Sequence, residues 1–157
     1  MNWQLLTDSI VGAHARSHDR HLEPLRRLGT AVPADGQGIG IVYLLLILVL
    51  KERVAEQVNP AALRQVAAET YEAWAPLIGR PRSALEAVFL SPFELNPDDE
   101  AVVGTELMVH GTAALGILLQ DPTADVARFR PFVDEWWQDF GAAAQAGADI
   151  ERRPGAV

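Results

Sequence analysis

The stretch IGIVYLLLILVLKERVAEQV, residues 39–58, decides the fold. Between positions 41 and 50 only Tyr43 carries a polar group, so a helix here has no solvent face and must be surrounded. After Leu50 come Lys51, Glu52, Arg53, Glu56 and Gln57, which take the helix out of the core towards water. The apolar run is about 12 residues long, whereas a bilayer requires roughly 20, so it reads as a buried central helix.

Helical spacing continues on both sides of this stretch. In residues 3–22, Trp3, Leu6, Ile10, His14 and His21 share one stripe at 100° per residue, with Ser17 and His18 at its edges. Pro24 suits the first position of a new short helix over 24–28, which Gly29 would end. Residues 30–40, TAVPADGQGIG, have the composition of a loop. Beyond the central helix, Asn59 caps and Pro60 opens a helix with Leu63, Val66, Ala67, Thr70, Trp74 and Ile78 on one face. Pro76 is expected to kink or end it. Ser83 and Glu86 have the spacing of a capping box, opening a short helix that Pro92 closes.

Asn96–Pro97 repeats the Asn–Pro start, and Asp98, Asp99 and Glu100 then fall where a helix dipole favours acids. This helix should reach about Gln120, with Val103, Leu107, His110, Ala114, Ile117 and Leu118 on its stripe. Gly104, Gly111 and Gly116 each cost a helix about 1 kcal/mol relative to Ala. Close approach of a neighbour, the central helix above all, would offset that cost. Asp121–Pro122 opens the last helical segment, which Pro131 should kink or divide. Its stripe is Phe129, Val133, Trp136 and Phe140, opposite Asp125, Glu135, Gln138 and Asp139, with Trp137 at the rim of the core. Residues 147–157 lack periodicity and read as a flexible tail behind a single domain, 1–146. Strand-type alternation is absent throughout. The expected fold is all-α: a compact bundle of about six to seven helices around the buried central one.

Composition narrows the function. The formal net charge is −8, and Lys51 is the one lysine among 13 basic residues. The arginine pairs Arg26–Arg27, Arg80/Arg82 and Arg152–Arg153 are scattered, so no basic patch for nucleic acid is visible. An acidic surface favours solubility and a basic partner. With no cysteine there is no disulfide, thiolate metal site or cysteine nucleophile. The N-terminus lacks a basic start followed by an apolar run, which indicates no signal peptide and a cytoplasmic location. The abundance of Ala, Gly, Pro and Arg suggests a high-GC bacterial genome.

The most specific chemical signal is His14-Ala-Arg-Ser-His18-Asp-Arg-His21. On one continuous helix the spacings i, i+4 and i+7 would put three imidazoles on one face, where a Zn²⁺ or another divalent ion could bind. The HExxH glutamate is missing. His110 follows Glu106 by one turn, a pairing that suits a general base or two further metal ligands. Convergence of His14, His18, His21, Glu106 and His110 would follow the ligand logic of bundle-core metal sites. Gly36-Gln-Gly38-Ile-Gly40 precedes a helix, but has the spacing of neither nucleotide fingerprint. No serine or threonine sits in a nucleophile elbow. The leading expectation is therefore a non-catalytic interaction or regulatory protein of the immunity, antitoxin or chaperone type, alone or as a homo-oligomer. The alternative is a metal- or small-ligand-binding helical protein, an enzyme included, built on that histidine cluster.

Overall fold

The computed structural model describes residues 2–31, 37–55, 57–96 and 105–151. They form seven α-helices and no strand: α1 (Trp3–His14), α2 (His18–Ala31), α3 (Gln37–Val54), α4 (Pro60–Ile78), α5 (Arg82–Leu90), α6 (Thr105–Leu118) and α7 (Pro122–Glu151). A single 3-10 turn, Ser91–Phe93, follows α5. The expected all-α bundle is what the chain forms. Among the described residues no helix is long and apolar enough to cross a membrane.

The helix boundaries follow local chemistry. The Asn2 side chain accepts the Leu5 N–H, and the Asn59 side chain accepts the Ala62 N–H with Pro60 at the first helical position. Gly79, at φ 70°, stops α4 in the left-handed conformation, with its N–H on the Ala75 carbonyl. Ser83 forms no capping box: α5 starts one residue earlier, at Arg82, after Pro81, and no side chain caps it. Asn96 is the last described residue before a gap, its side-chain amide 3.4 Å from the Ser91 hydroxyl, while Pro97, the three acids, Val103 and Gly104 lie outside the described residues, as does Gly36.

The expected helix over 3–22 is broken in two. α1 ends in a Schellman motif: the Ser17 N–H reaches the Gly12 carbonyl and the Arg16 N–H reaches Ala13, with Arg16 at φ 59°. The chain turns there, and α2 packs back along α1. Pro24 is inside α2, not at its start, and the helix runs on through Gly29. Pro76 and Pro131 likewise lie inside α4 and α7. Proline removes one helical bond, to the carbonyl four residues back. For Pro76 and Pro131 those carbonyls belong to the exposed Glu72 and Ala127, where water replaces the lost bond. α7 runs to Glu151, past the expected start of a tail at 147, and residues 152–157 lie outside the described residues.

α3 buries Ile41, Val42, Leu45, Leu46, Val49 and Leu50, but Tyr43, Leu44, Ile47 and Leu48 are only half-buried. The most enclosed helix is α6, which packs against α1, α2, α3, α4 and α5. Its glycines permit this, though not all toward the central helix. A Cβ on Gly111 would lie 2.7 Å from Val42 on α3, whereas one on Gly116 would lie 2.6 Å from the Ile10 carbonyl and Ala13 Cβ on α1.

Gly12 is tighter still: a Cβ there would lie 2.3 Å from the backbone C and O of Arg20. The Arg20 carbonyl is the one that Pro24 leaves without its helical partner. Gly12→Ala must therefore push α1 and α2 apart, costing roughly 1–3 kcal/mol or more. Gly29 has nothing within 4 Å of its Cβ position, so Gly29→Ala should stabilise α2 by up to about 1 kcal/mol. Urea unfolding of the two variants should move in opposite directions; equal shifts would show that α1 and α2 do not meet at Gly12.

Candidate functional site

The turn at Arg16 separates the histidines that the spacing would have stacked. His14 ends α1, exposed, and its Nδ1 lies 2.9 Å from the Gly116 carbonyl, to which it donates. His18 opens α2 in solvent, 3.7 Å from the Asp19 carboxylate. His21 is fully buried, with Nε2 2.9 Å from the Thr112 hydroxyl. That hydroxyl donates its own proton to the Met108 carbonyl, so it accepts from His21 Nε2–H. This fixes the tautomer and leaves the buried Nδ1 as an acceptor with no hydrogen bond. Two of the three histidines thus reach α6 one turn apart, at Thr112 and Gly116.

His110 is buried with its ring edge against Trp74, centroids 5.5 Å apart, and Glu106 is exposed one turn earlier. His14, His18, His21, Glu106 and His110 do not converge: the described residues contain no group of three side chains arranged to hold a metal ion. Two of these positions are instead constrained by burial. Desolvation, with the nearby His18 and His110, pushes the His21 imidazole down to about 4, and burial lowers His110, partly offset by Glu106.

An open cleft of about 340 Å³ lies where α3 meets the α6–α7 connection, lined by Glu52, Arg53, Asp121, Asp125 and Arg128 among others. Three of its charges are spent on one another, and Asp121 accepts the Ala124 N–H. Arg128 is bidentate on Glu52 at 2.7 and 3.3 Å and reaches Asp125 at 3.5 Å, which holds the Glu52 carboxyl below its usual range. Arg53 pairs with Glu69 at 3.4 Å. The lining includes no histidine, serine or threonine, so it offers no imidazole or hydroxyl group.

The feature with no structural employment is on α7. Every exposed large apolar side chain among the described residues is there: Phe132 at 61%, Trp136 at 40% and Phe140 at 51% exposure. The spacing i, i+4, i+8 makes them one ridge. Trp136 and Phe140 stack, centroids 5.3 Å apart and 9° from coplanar. Trp137 touches both, at 5.9 and 5.6 Å, and seats its ring on Gly40 of α3. The expected roles of the two tryptophans are therefore exchanged: Trp137 faces the bundle and Trp136 faces out. Phe129 and Val133 are buried as expected, and Phe132, which lies outside the expected stripe, is exposed on the ridge. The aromatic repeat at 132, 136 and 140 was the signal for it. Comparison with protein-family models, with curated proteins and with solved structures finds no match.

The lowered His21 value has a consequence for stability. The unfolded chain takes up this proton near 6.5 and the folded one near 4, so the contribution is fully present above about pH 6.5 and is lost as pH falls towards 4. The loss should be on the order of 3 kcal/mol. His21→Gln should lose that much less stability than wild type between pH 7 and pH 4, measured by denaturant unfolding; parallel curves would show that His21 is not buried neutral.

Proposed function

We propose that the protein is a non-catalytic regulatory bundle of the bacterial cytoplasm that binds another protein through the α7 ridge of Phe132, Trp136 and Phe140. The ridge is the observation that carries this reading. Exposing three large aromatics in one stripe gains nothing for folding, and contiguous apolar patches on a soluble surface mark interaction sites. Tryptophan and other large aromatics are the side chains that most often anchor protein interfaces, because they bury much area at low entropic cost. Trp137, seated on Gly40, braces Trp136 and Phe140 from behind, so the face is held ready before a partner arrives.

The test replaces Phe132 with a photoreactive benzoylphenylalanine in the native host, with Glu72 on α4 as the control position. Illumination should give one discrete cross-linked species at 132 and none at 72, and Trp136→Ser should abolish it. Trp136 makes its contacts with ridge rings and Trp137 and not with the core, so Trp136→Ser should leave the bundle folded, at a stability cost of about 1–2 kcal/mol. Absence of a cross-link at 132, or equal cross-linking at both positions, would refute docking through α7.

A further inference from the structure

We propose that the partner segment seated on this ridge is a basic amphipathic helix, with an apolar stripe edged by Lys or Arg. The proposal rests on the docking reading above and specifies its chemistry. At 100° per residue, Phe132, Trp136 and Phe140 span an arc of roughly 80°, and Asp139 and Glu135 fill roughly the next 60° on the solvent side. Both carboxylates are exposed, and neither makes an ion pair among the described residues. They differ in this from three other acids near the seat of α7. Asp134 is 3.6 Å from Arg130, while Glu52 and Asp125 share Arg128.

A partner covering the aromatics lies over Glu135 and Asp139 as well. An acidic or purely apolar partner would strip water from two carboxylates and return nothing. Cations along its edge would neutralise them, and the net charge of −8 would speed the encounter. A second copy of this chain is disfavoured by the same pair. A two-fold interface presents one patch to itself, so the ridge of one copy would bring its Glu135 and Asp139 against those of the other. Arg128 cannot relieve them while it is held by Glu52 and Asp125. A ridge of this length, with aromatics one turn apart, matches a helix laid along it, anchored at i, i+4 and i+8.

The test uses the purified full chain and two labelled synthetic helices of about 18 residues with the same leucine stripe, one edged with lysine and one with glutamate. Fluorescence anisotropy in physiological salt should show the lysine-edged helix binding roughly tenfold or more tighter. Glu135→Lys/Asp139→Lys should invert the preference. Glu72→Lys/Glu94→Lys, equal in charge change but away from the ridge, should preserve it. Phe132→Ser/Trp136→Ser should weaken both peptides. Equal affinities, no saturable binding, or a preference that the distant pair alters as much as the near pair would overturn the basic partner. A wild-type dimer in light scattering that Phe132→Ser dissolves would overturn it in favour of a second copy. A cross-link at 132 to another protein, with no lysine preference, would sink the basic partner and leave docking through α7 intact. Loss of the cross-link sinks both.

Discussion

Where α6 meets α1, and where α1 meets α2, the helices come within backbone range, and where α6 meets α3 a side chain of α3 fills the place of a missing Cβ. Gly116 lets α6 approach the Ile10 carbonyl and the His14 amide, Gly111 receives the Val42 methyl, and Gly12 receives the Arg20 peptide. A methyl group at any of these points would force neighbours apart, because a packed interior does not yield elsewhere. Each glycine costs its helix about 1 kcal/mol, and the compensation is the closeness itself, which closes α6 in on several sides. The contact at Gly12 has a further basis. Pro24 deprives the Arg20 carbonyl of its helical donor, and a carbonyl so freed can face a glycine Cα at short range.

That closeness gives the histidines their employment. With α1 and α2 held on α6, the His14 ring falls at the Gly116 carbonyl and the His21 ring at Thr112. The Ser9 hydroxyl donates to the His21 backbone carbonyl, tying α1 to α2 beneath the ring. These are polar rungs in an otherwise apolar seam. Their value is registry more than strength: a one-turn slip of α6 would strand the His14 and His21 rings, and a slip of α1 against α2 would strand Ser9. The orphaned Nδ1 of His21 is the cost of this arrangement, and burial keeps the ring neutral at physiological pH.

The fold class was legible because it depends on periodicity and on caps whose side chains speak for themselves. Asn59–Pro60 and Gly79 act as their chemistry dictates, and Leu45, Leu46 and Leu50 are buried. The break after α1 was not legible. A Schellman turn announces itself by glycine, and here the left-handed position is Arg16, which offsets its strain with guanidinium contacts to the Ala13 and His14 carbonyls, 3.3 Å each. The histidine face depended on that one residue staying helical. Pro24, Pro76 and Pro131 misled in the opposite direction. Proline forbids a bond but not a helix, and whether water or a neighbour can take the freed carbonyl is a tertiary fact.

The same distinction explains α7 and its ridge. Sequence periodicity reports how much of a helix is apolar, and only packing reports how much of that arc has a seat. The apolar arc of α7 runs from Phe132 through Phe129 and Val133 to Trp137, wider than the stripe that a bundle of this size can cover. Val126, Phe129 and Val133 take the seat, and Trp137 reaches α3 at Gly40. Phe132, Trp136 and Phe140 are the remainder. Trimming Phe132 to a polar residue would leave Val126, Phe129 and Val133 in their seat, whereas Trp136 and Phe140 also flank Trp137. Trp136 and Phe140 stack on each other and both touch Trp137, so the rings that packing leaves outside meet the one that α3 seats.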